Sequence, residues 1–501
     1  VQVEYLLERE GLRQNFILPE REQGVGTLEV HIDIRTPHVP SIFGGDLLFH
    51  DEQEGFVHAY KGLAVWDANG TPLKAWFKLE EGSKALRIMV DDEHAVYPVT
   101  VDPVSTTVER QLNNLGVSKF GRCASSAGDL NGDGYSDVVV GAPFDNLPTG
   151  TTPGAAYVYY GSASGIGAAP NVTLTSGLVG IADNFGLGVD GAGDVNGDGF
   201  EDLIVGSSTW RDNAATPTEG GVFIYHGSAT GIATTPNYIL QNNTNASYMG
   251  SSVAGLGDIN GDGFSDIIAG GWLATYGPTS NEGAAWIFLG SATGLNPVFR
   301  HRLEQNFGGA QFGYAVGAAG DVNGDGFNDV VIGAHKIRIP TAAPAITGGI
   351  YIYHGSANAL GVGLNPPATL TFTTTGYSTR NGWSVGSAGD VNGDGYSDVI
   401  ISDWQDQVGP EVSEGAALIY HGSATGLSNI PATVIDGGLA NRYFGHSSST
   451  AGDVNGDGYS DVIIGCLQWA NGQSNEGAAF LHLGSPTGIS SSAFLRYESN
   501  I

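Results

Sequence analysis

The chain is short of positive charge: 20 Lys plus Arg stand against 52 Asp plus Glu in 501 residues, for a formal net charge of −32. That balance argues against nucleic acid and against anionic membrane surfaces as partners. With only two cysteines, disulfides cannot be the framework. No apolar run approaches the ~20 residues that cross a bilayer as a helix, so membrane insertion is not expected. No segment carries convincing helical periodicity, which leaves strands as the building material. Val1 opens no signal peptide, as expected of a mature form or a fragment. Glycine, by contrast, is abundant at 78 residues, as short strands joined by many tight turns require.

What is present is one acidic loop written six times. DLNGDGYSD starts at Asp129, DVNGDGFED at Asp194, DINGDGFSD at Asp258, DVNGDGFND at Asp321, and DVNGDGYSD at both Asp390 and Asp453. Successive starts lie 65, 64, 63, 69 and 63 residues apart. A fixed period means one supersecondary unit repeated in space. Within each loop, oxygen-bearing side chains fall at positions 1, 3, 5 and 9, a backbone carbonyl serves at position 7, and glycine at position 6 makes the turn.

The expected ligands of the first loop are therefore Asp129, Asn131, Asp133, Tyr135 (carbonyl) and Asp137. The second has Asp194, Asn196, Asp198, Phe200 and Asp202, and the third Asp258, Asn260, Asp262, Phe264 and Asp266. The fourth has Asp321, Asn323, Asp325, Phe327 and Asp329. Asp390, Asn392, Asp394, Tyr396 and Asp398 make the fifth, and Asp453, Asn455, Asp457, Tyr459 and Asp461 the sixth. Three carboxylates within nine residues repel one another unless a cation neutralises them. An all-oxygen set selects a hard divalent ion, so about six structural Ca²⁺ are expected. They would add 12 positive charges and leave the chain at about −20. An EF-hand is excluded, since no Glu stands at position 12 and strands flank the loop. Open sites of this kind have Kd on the order of 10⁻⁴–10⁻³ M, which places the protein outside the cell, secreted or at the cell surface.

Residues 1–104 lack the repeat and read as a small β-sandwich-like domain, with alternating runs at Leu28–Ile34, Phe56–Tyr60 and Ala85–Val90 and a turn at Asp67–Gly70. Pro103 is the expected boundary. Over 105–501 each period has the same order. A variable segment (Val108–Leu112, Asn171–Leu174, Tyr238–Leu240) precedes a Phe-Gly strand. The acidic loop follows, then an apolar strand, a long polar loop and a strand ending in Gly-Ser. Four short strands per period make a propeller blade. The Phe-Gly pairs are Phe120-Gly121, Phe185-Gly186, Met249-Gly250, Phe312-Gly313, Gly382-Trp383 in swapped order, and Phe444-Gly445.

With Gly141-Ala142-Pro143 intact after the first loop, this order resembles the FG-GAP repeats of integrin α-chain β-propellers and their bacterial secreted relatives. The resemblance implies an all-β, calcium-binding propeller serving extracellular recognition. Integrin propellers have seven blades, whereas six loops are present here. The segment Phe494–Tyr497 either closes a six-bladed ring or begins a seventh blade.

In an up-and-down blade the calcium loops share one face, and the long loops after strand 2 emerge on the other. Trp210, Trp272, Trp404 and Trp469 lie in those loops with Tyr276 nearby, as a candidate aromatic binding face or as packing against neighbouring blades. Glu219, Glu282, Glu414 and Glu476 read as turn residues. Cys123 and Cys466 read as buried free thiols, a ring-closing disulfide being the alternative. No His recurs near the loops, and His226, His354 and His421 share one strand position as a structural register. No G-x-S-x-G, HExxH or Walker motif appears, so no enzyme is expected. The leading expectation is adhesion or recognition of an extracellular glycan or protein. Self-assembly into a surface layer or filament is the alternative, and a secreted polysaccharide-acting enzyme the third.

Overall fold

The computed structural model describes the chain except residues 1, 9–10, 20, 22–26, 34–38, 44–45, 52–54, 70, 72, 80–84, 107–111, 113–118, 146–153, 163–164, 179–181, 213–217, 245, 277–278, 340–345, 373–380, 406–412, 439–441, 470–476, 492, 494 and 499–501. The described residues are all β, with no helix among the elements, and none is long and apolar enough to cross a membrane as a helix.

Residues 2–106 form two antiparallel sheets. Six strands run in the order Gln2–Glu8, Gly11–Leu18, Val99–Thr106, Gly55–Trp66, Asp46–Asp51, Val39–Phe43, and three in the order Leu28–Asp33, Ala85–Val90, Ala75–Leu79. The core between them contains Phe16, Leu47, Val65, Phe77, Ile88, Val90 and Val101. Their alternation with polar neighbours is what one buried face of each sheet requires. The expected turn is present: Asp67 accepts from Asn69, Thr71 and Val96 N–H at 2.9, 2.9 and 3.1 Å. Pro103 does not end this unit, because its strand runs on to Thr106.

Six four-stranded antiparallel sheets follow, each in simple sequence order. Blade 1 is Cys123–Gly128, Asp137–Ala142, Ala155–Tyr159 and Val172–Leu174. Blade 6 is Phe444–Gly452, Asp461–Cys466, Ala478–His482 and Leu495–Glu498. Strands 2 and 3 of blades 2, 3 and 5 are buried at every residue. They read as unbroken apolar runs because each sheet is covered on both faces by neighbouring blades. Innermost strands crowd side by side around a channel and consist mostly of Ala, Gly, Ser and Val, small enough for that approach.

The phase of the repeat differs from the sequence-based reading. The variable segment (Val172–Leu174, Tyr238–Leu240) is the outer strand closing the preceding blade, paired with strand 3. Leu495–Glu498 likewise pairs with Ala478–Leu481 as the outer strand of its own blade. It is therefore neither a clasp onto blade 1 nor the start of a seventh blade. Residues 108–111 and Phe494, part of that expectation, lie outside the described residues.

One rule joins each blade to the next, five times over. The backbone N–H at loop position 8 donates to the position 1 carbonyl of the preceding loop: Glu201 to Asp129 at 3.2 Å, Ser265 to Asp194 at 2.9 Å, Asn328 to Asp258 at 3.3 Å, Ser397 to Asp321 at 2.9 Å and Ser460 to Asp390 at 2.9 Å. The Ser after strand 3 donates to the position 2 carbonyl, as in Ser228 to Leu130 at 3.0 Å. The aromatic ring at position 7 lies on the glycine at position 4 of the preceding loop, so that a Cβ on Gly132 would meet Phe200 at 2.6 Å and one on Gly393 would meet Tyr459 at 2.6 Å. The leading face of blade 6 lacks this cover. Val454 is 45% exposed and Ile463 36%, where Val391 and Ile400 of blade 5 are fully buried. A Cβ on Gly456 would meet nothing within 4 Å.

This asymmetry is testable with two matched substitutions. Gly393 and Gly456 hold the same loop position at φ +74° and +72°. Gly456→Ala should cost only the left-handed backbone strain of about 1–2 kcal/mol. Gly393→Ala must also displace the Tyr459 ring and should lower the melting temperature further. Equal losses would contradict an uncovered blade 6.

Candidate functional site

Each acidic loop is built by its own side chains. In the first, Asp129 Oδ1 accepts from Gly132 N–H at 2.7 Å and Asp133 N–H at 3.1 Å, and its Oδ2 accepts from Gly134 N–H at 2.8 Å. Asn131 Oδ1 accepts from Asp133 N–H at 2.9 Å, and Asp133 Oδ1 accepts from Tyr135 N–H at 3.0 Å. These Asx turns recur in the other loops, for example around Asp321 and Asp453. Glycines at positions 4 and 6 sit at φ +70° and +89°, which residues with a Cβ adopt only under strain.

Position 9 has a different task. Asp137 is fully buried, accepting from Leu130 N–H at 2.9 Å and Gly161 N–H at 2.8 Å. It ties the loop to the end of strand 3, and Asp202, Asp266, Asp329, Asp398 and Asp461 repeat the tie. Burial, then the negative charges of positions 5 and 1, push Asp202, Asp266, Asp329 and Asp398 up to about 7. Asp137 and Asp461 are raised for the same reasons. Among the described residues no three Asp, Glu, His or Cys side chains converge as a ready-made metal cage. The carboxylates of positions 1 and 5 are turned onto the loop's own N–H groups instead. Asp129 Oδ2 and Asp133 Oδ1, each accepting one N–H, keep a second lone pair, whereas Asp129 Oδ1 already accepts two.

Histidine does recur beside these loops, contrary to the expectation from sequence. His226 Nδ1 lies 3.2 Å from Asn196 Nδ2, and His354 Nδ1 lies 3.1 Å from Asn323 Nδ2. Strand 3 ends next to the loop that strand 2 follows, so a residue distant in sequence arrives beside position 3. Burial lowers the pKa of His226, His354 and His421.

At the opposite end of the channel, a cavity of about 910 Å³ draws residues from all six blades. Its floor positions are equivalent: the residue after the Phe-Gly glycine is Arg122, Leu187, Ser251, Tyr314, Trp383 and His446 in turn, and all six line it. Gly382-Trp383 is therefore not a swapped pair. Asn381 stands where the other repeats have Phe or Met, bridging Gly348 as Phe185 bridges Gly154. Trp383 is the lining residue, and the variable place after an invariant glycine was the signal for it. Trp272 also lines the cavity. The rings form one wall, with centroid distances of 6.3 Å for Trp272–Tyr314, 4.7 Å for Tyr314–Trp383 and 5.6 Å for Trp383–His446.

The four tryptophans expected at this face separate. Trp272 is in the cavity wall, and Trp404 stands behind it, 5.4 Å from Trp383 and 4.6 Å from Tyr443. Trp210 is only 6% exposed and packs edge-on to Phe223 at 5.8 Å. Its loop closes back on the blade through Trp210 N–H to Ser207 and Gly220 N–H to Trp210, which tucks the ring under. Trp469 packs on Phe480 at 5.1 Å beneath the Arg442 guanidinium. Glu282 is a turn residue as expected, accepting from Tyr276 N–H and Thr279 Oγ1, both at 2.7 Å; Glu219 and Glu414 are buried. Glu476 lies outside the described residues. Cys123 and Cys466 are free thiols, held above the ordinary range by burial, at about 12 and about 11.

The raised position 9 carboxylates set a pH dependence. A folded-state pKa above the unfolded value gives stability that is present at low pH and lost as pH rises through about 7. Asp329→Asn removes that titration. In the presence of chelator, its melting temperature relative to the parent should rise between pH 5 and 8; a flat difference would contradict the burial of a charge there.

The FG-GAP repeat family model matches residues 124–159, 312–336 and 444–480. Integrin alpha-IIb of Mus musculus is 33% identical over 161 residues, covering 30% of this chain and 15% of that protein. Integrin alpha-4 of Xenopus laevis is 31% identical over 253 residues, 48% of this chain and 22% of the relative. Integrin alpha-6 of Gallus gallus is 39% identical over 146 residues, 28% and 12%. The chain thus spans less than a quarter of the length of these relatives. A solved structure, the NanB sialidase from Streptococcus pneumoniae, aligns over 91% of this chain and 83% of that one at a TM-score of 0.41 and 8% identity, too low to bear on function. The chain thus carries FG-GAP repeats, is similar to integrin α-chains over part of its length, and folds as a β-propeller.

Proposed function

We propose that this chain is an extracellular β-propeller, stiffened by calcium in its acidic loops, that recognises a ligand at the channel mouth and catalyses no reaction. In this reading the N-terminal residues, through Thr106, are a separate β-sandwich unit beside the propeller that follows. The observation that carries recognition is the convergence of six equivalent, chemically different residues on one cavity. A structural requirement would favour small residues in every blade, as at the next position, with Cys123, Gly188, Ser252, Ala315, Ser384 and Ser447. Side chains that differ from blade to blade are what a specific ligand needs.

The loops have the chemistry of hard-cation sites. In the first loop, positions 1, 3 and 5 set oxygens along five residues, half-buried at Asp129 and Asn131 and exposed at Asp133, with Asn131 Nδ2 3.1 Å from Asp133 Oδ2. Bound Ca²⁺ would supply the positive charge that the crowded carboxylates lack. Asp129 and Asp133, and their equivalents, would turn from loop N–H groups toward it, while the buried position 9 carboxylate holds the loop on strand 3. Because the same loops carry the blade-to-blade hydrogen bonds, a cation that stiffens them stabilises the ring as a whole.

Metal analysis of undenatured protein should find close to six calcium ions per chain, and chelation should lower the melting temperature, since a ligand of the folded state alone stabilises it by mass action. Asp325→Ala should lose one ion and keep five. Zero or one ion would contradict the calcium reading. For recognition, Trp383→Ala should abolish binding on glycan and extracellular-protein arrays without lowering the melting temperature by more than a few degrees. Unchanged binding by that variant would remove the mouth as the site.

A further inference from the structure

The mouth's charge is at odds with the rest of the molecule. The chain has 52 acidic residues, yet among the described residues none lines this cavity, and Arg122 is the one Lys or Arg that does. Asp190 is the acidic residue of the described innermost strands. It lies outside the lining, bonded to Ser125 Oγ at 2.5 Å and Gly255 N–H at 3.1 Å. Arg122 is exposed, and no carboxylate among the described residues stands within ion-pair distance of it. Its charge is felt across the mouth at His446, whose protonation it opposes together with burial.

We propose that the mouth takes a uronate-containing oligosaccharide, with a sugar carboxylate on Arg122 and a sugar ring against the Tyr314–Trp383 wall. This rests on the mouth being the recognition site. A cationic ligand would meet Arg122 with no carboxylate in the lining to offset the repulsion. A purely apolar ligand would leave the hydroxyls of Ser251, Ser252, Ser384 and Ser447, which also line the cavity, without partners. Flat aromatic faces, small hydroxyls and exposed glycine backbone suit a ligand rich in hydroxyl groups with apolar ring faces. A guanidinium is the donor whose fork matches a carboxylate. An acidic peptide has the charge, but few of its residues offer a flat apolar face to the Tyr314–Trp383 wall.

Size points to a chain rather than a single sugar. The cavity of about 910 Å³ has room for more than one sugar ring, with Gly121, Ala124, Gly465, Leu467 and Ala478 of the first and last blades as further lining residues. Leu467 is 53% exposed.

The test is calorimetric titration, in excess calcium, of the full chain with hexasaccharides from hyaluronan, polygalacturonate and alginate. Their carboxyl-reduced counterparts and an acidic tyrosine-containing hexapeptide serve as comparisons. At least one uronate should bind, with its reduced form at least tenfold weaker. Arg122→Gln should bring the two to equal affinity, and Trp383→Ala should lose both, with melting temperature measured for each variant. Equal binding of acidic and reduced sugars, or an Arg122→Gln variant that still discriminates, overturns the carboxylate assignment while leaving the mouth as a recognition site. Binding of the peptide alone overturns the sugar assignment. If no probe binds, the proposal falls; array binding that Trp383→Ala still abolishes would then keep the wider reading, and its absence would remove that too.

Discussion

A buried carboxylate at the ninth position of each loop is the constraint on which the propeller depends. It holds the loop's second N–H and the N–H after strand 3 at once, fixing three consecutive strands of a blade at a single point. The cost is a negative charge in a fully buried place, aggravated by two more carboxylates a few residues away. Sheets with one such pin per blade can present identical edges to their neighbours. That is why the same carbonyl-to-N–H pairs recur from the first blade to the sixth. A cation in the loop, as proposed, would relieve the crowding that the pin creates and so tie metal binding to blade stacking.

Much of this was legible in the sequence because it is written repeatedly. Six loops at a near-constant spacing specify the number of sheets, and unbroken apolar runs such as Asp266–Gly271 announce strands buried on both faces. The order of strands was legible too, but not the phase. Three-residue outer strands such as His301–Leu303 carry too little pattern to say which blade they close. Pro103 misled for a similar reason: a proline within an otherwise alternating run reads as a boundary, yet the strand passes through it.

The site was less legible than the scaffold. Tryptophan was expected to mark the binding face by its size, but a loop that bonds back onto its own blade buries Trp210 as readily as a core position would. The mouth is instead specified by the residue after each Phe-Gly glycine, six positions whose only common property is their place. Trp383 was hidden because Asn381 replaces the aromatic before that glycine and makes the motif look inverted. The histidines near the second and fourth loops were missed because their proximity comes from folding strand 3 back beside strand 2. Sequence distance says nothing of that.

The central proposal is that the acidic loops are cation seats and not merely Asx turns. Anomalous-difference density from crystals grown with calcium tests this most directly. Six peaks are predicted, one within each loop and bounded by the side chains of positions 1, 3 and 5, with the position 9 aspartate still on its two backbone donors. Loops that keep their turns with no density inside them would contradict the account.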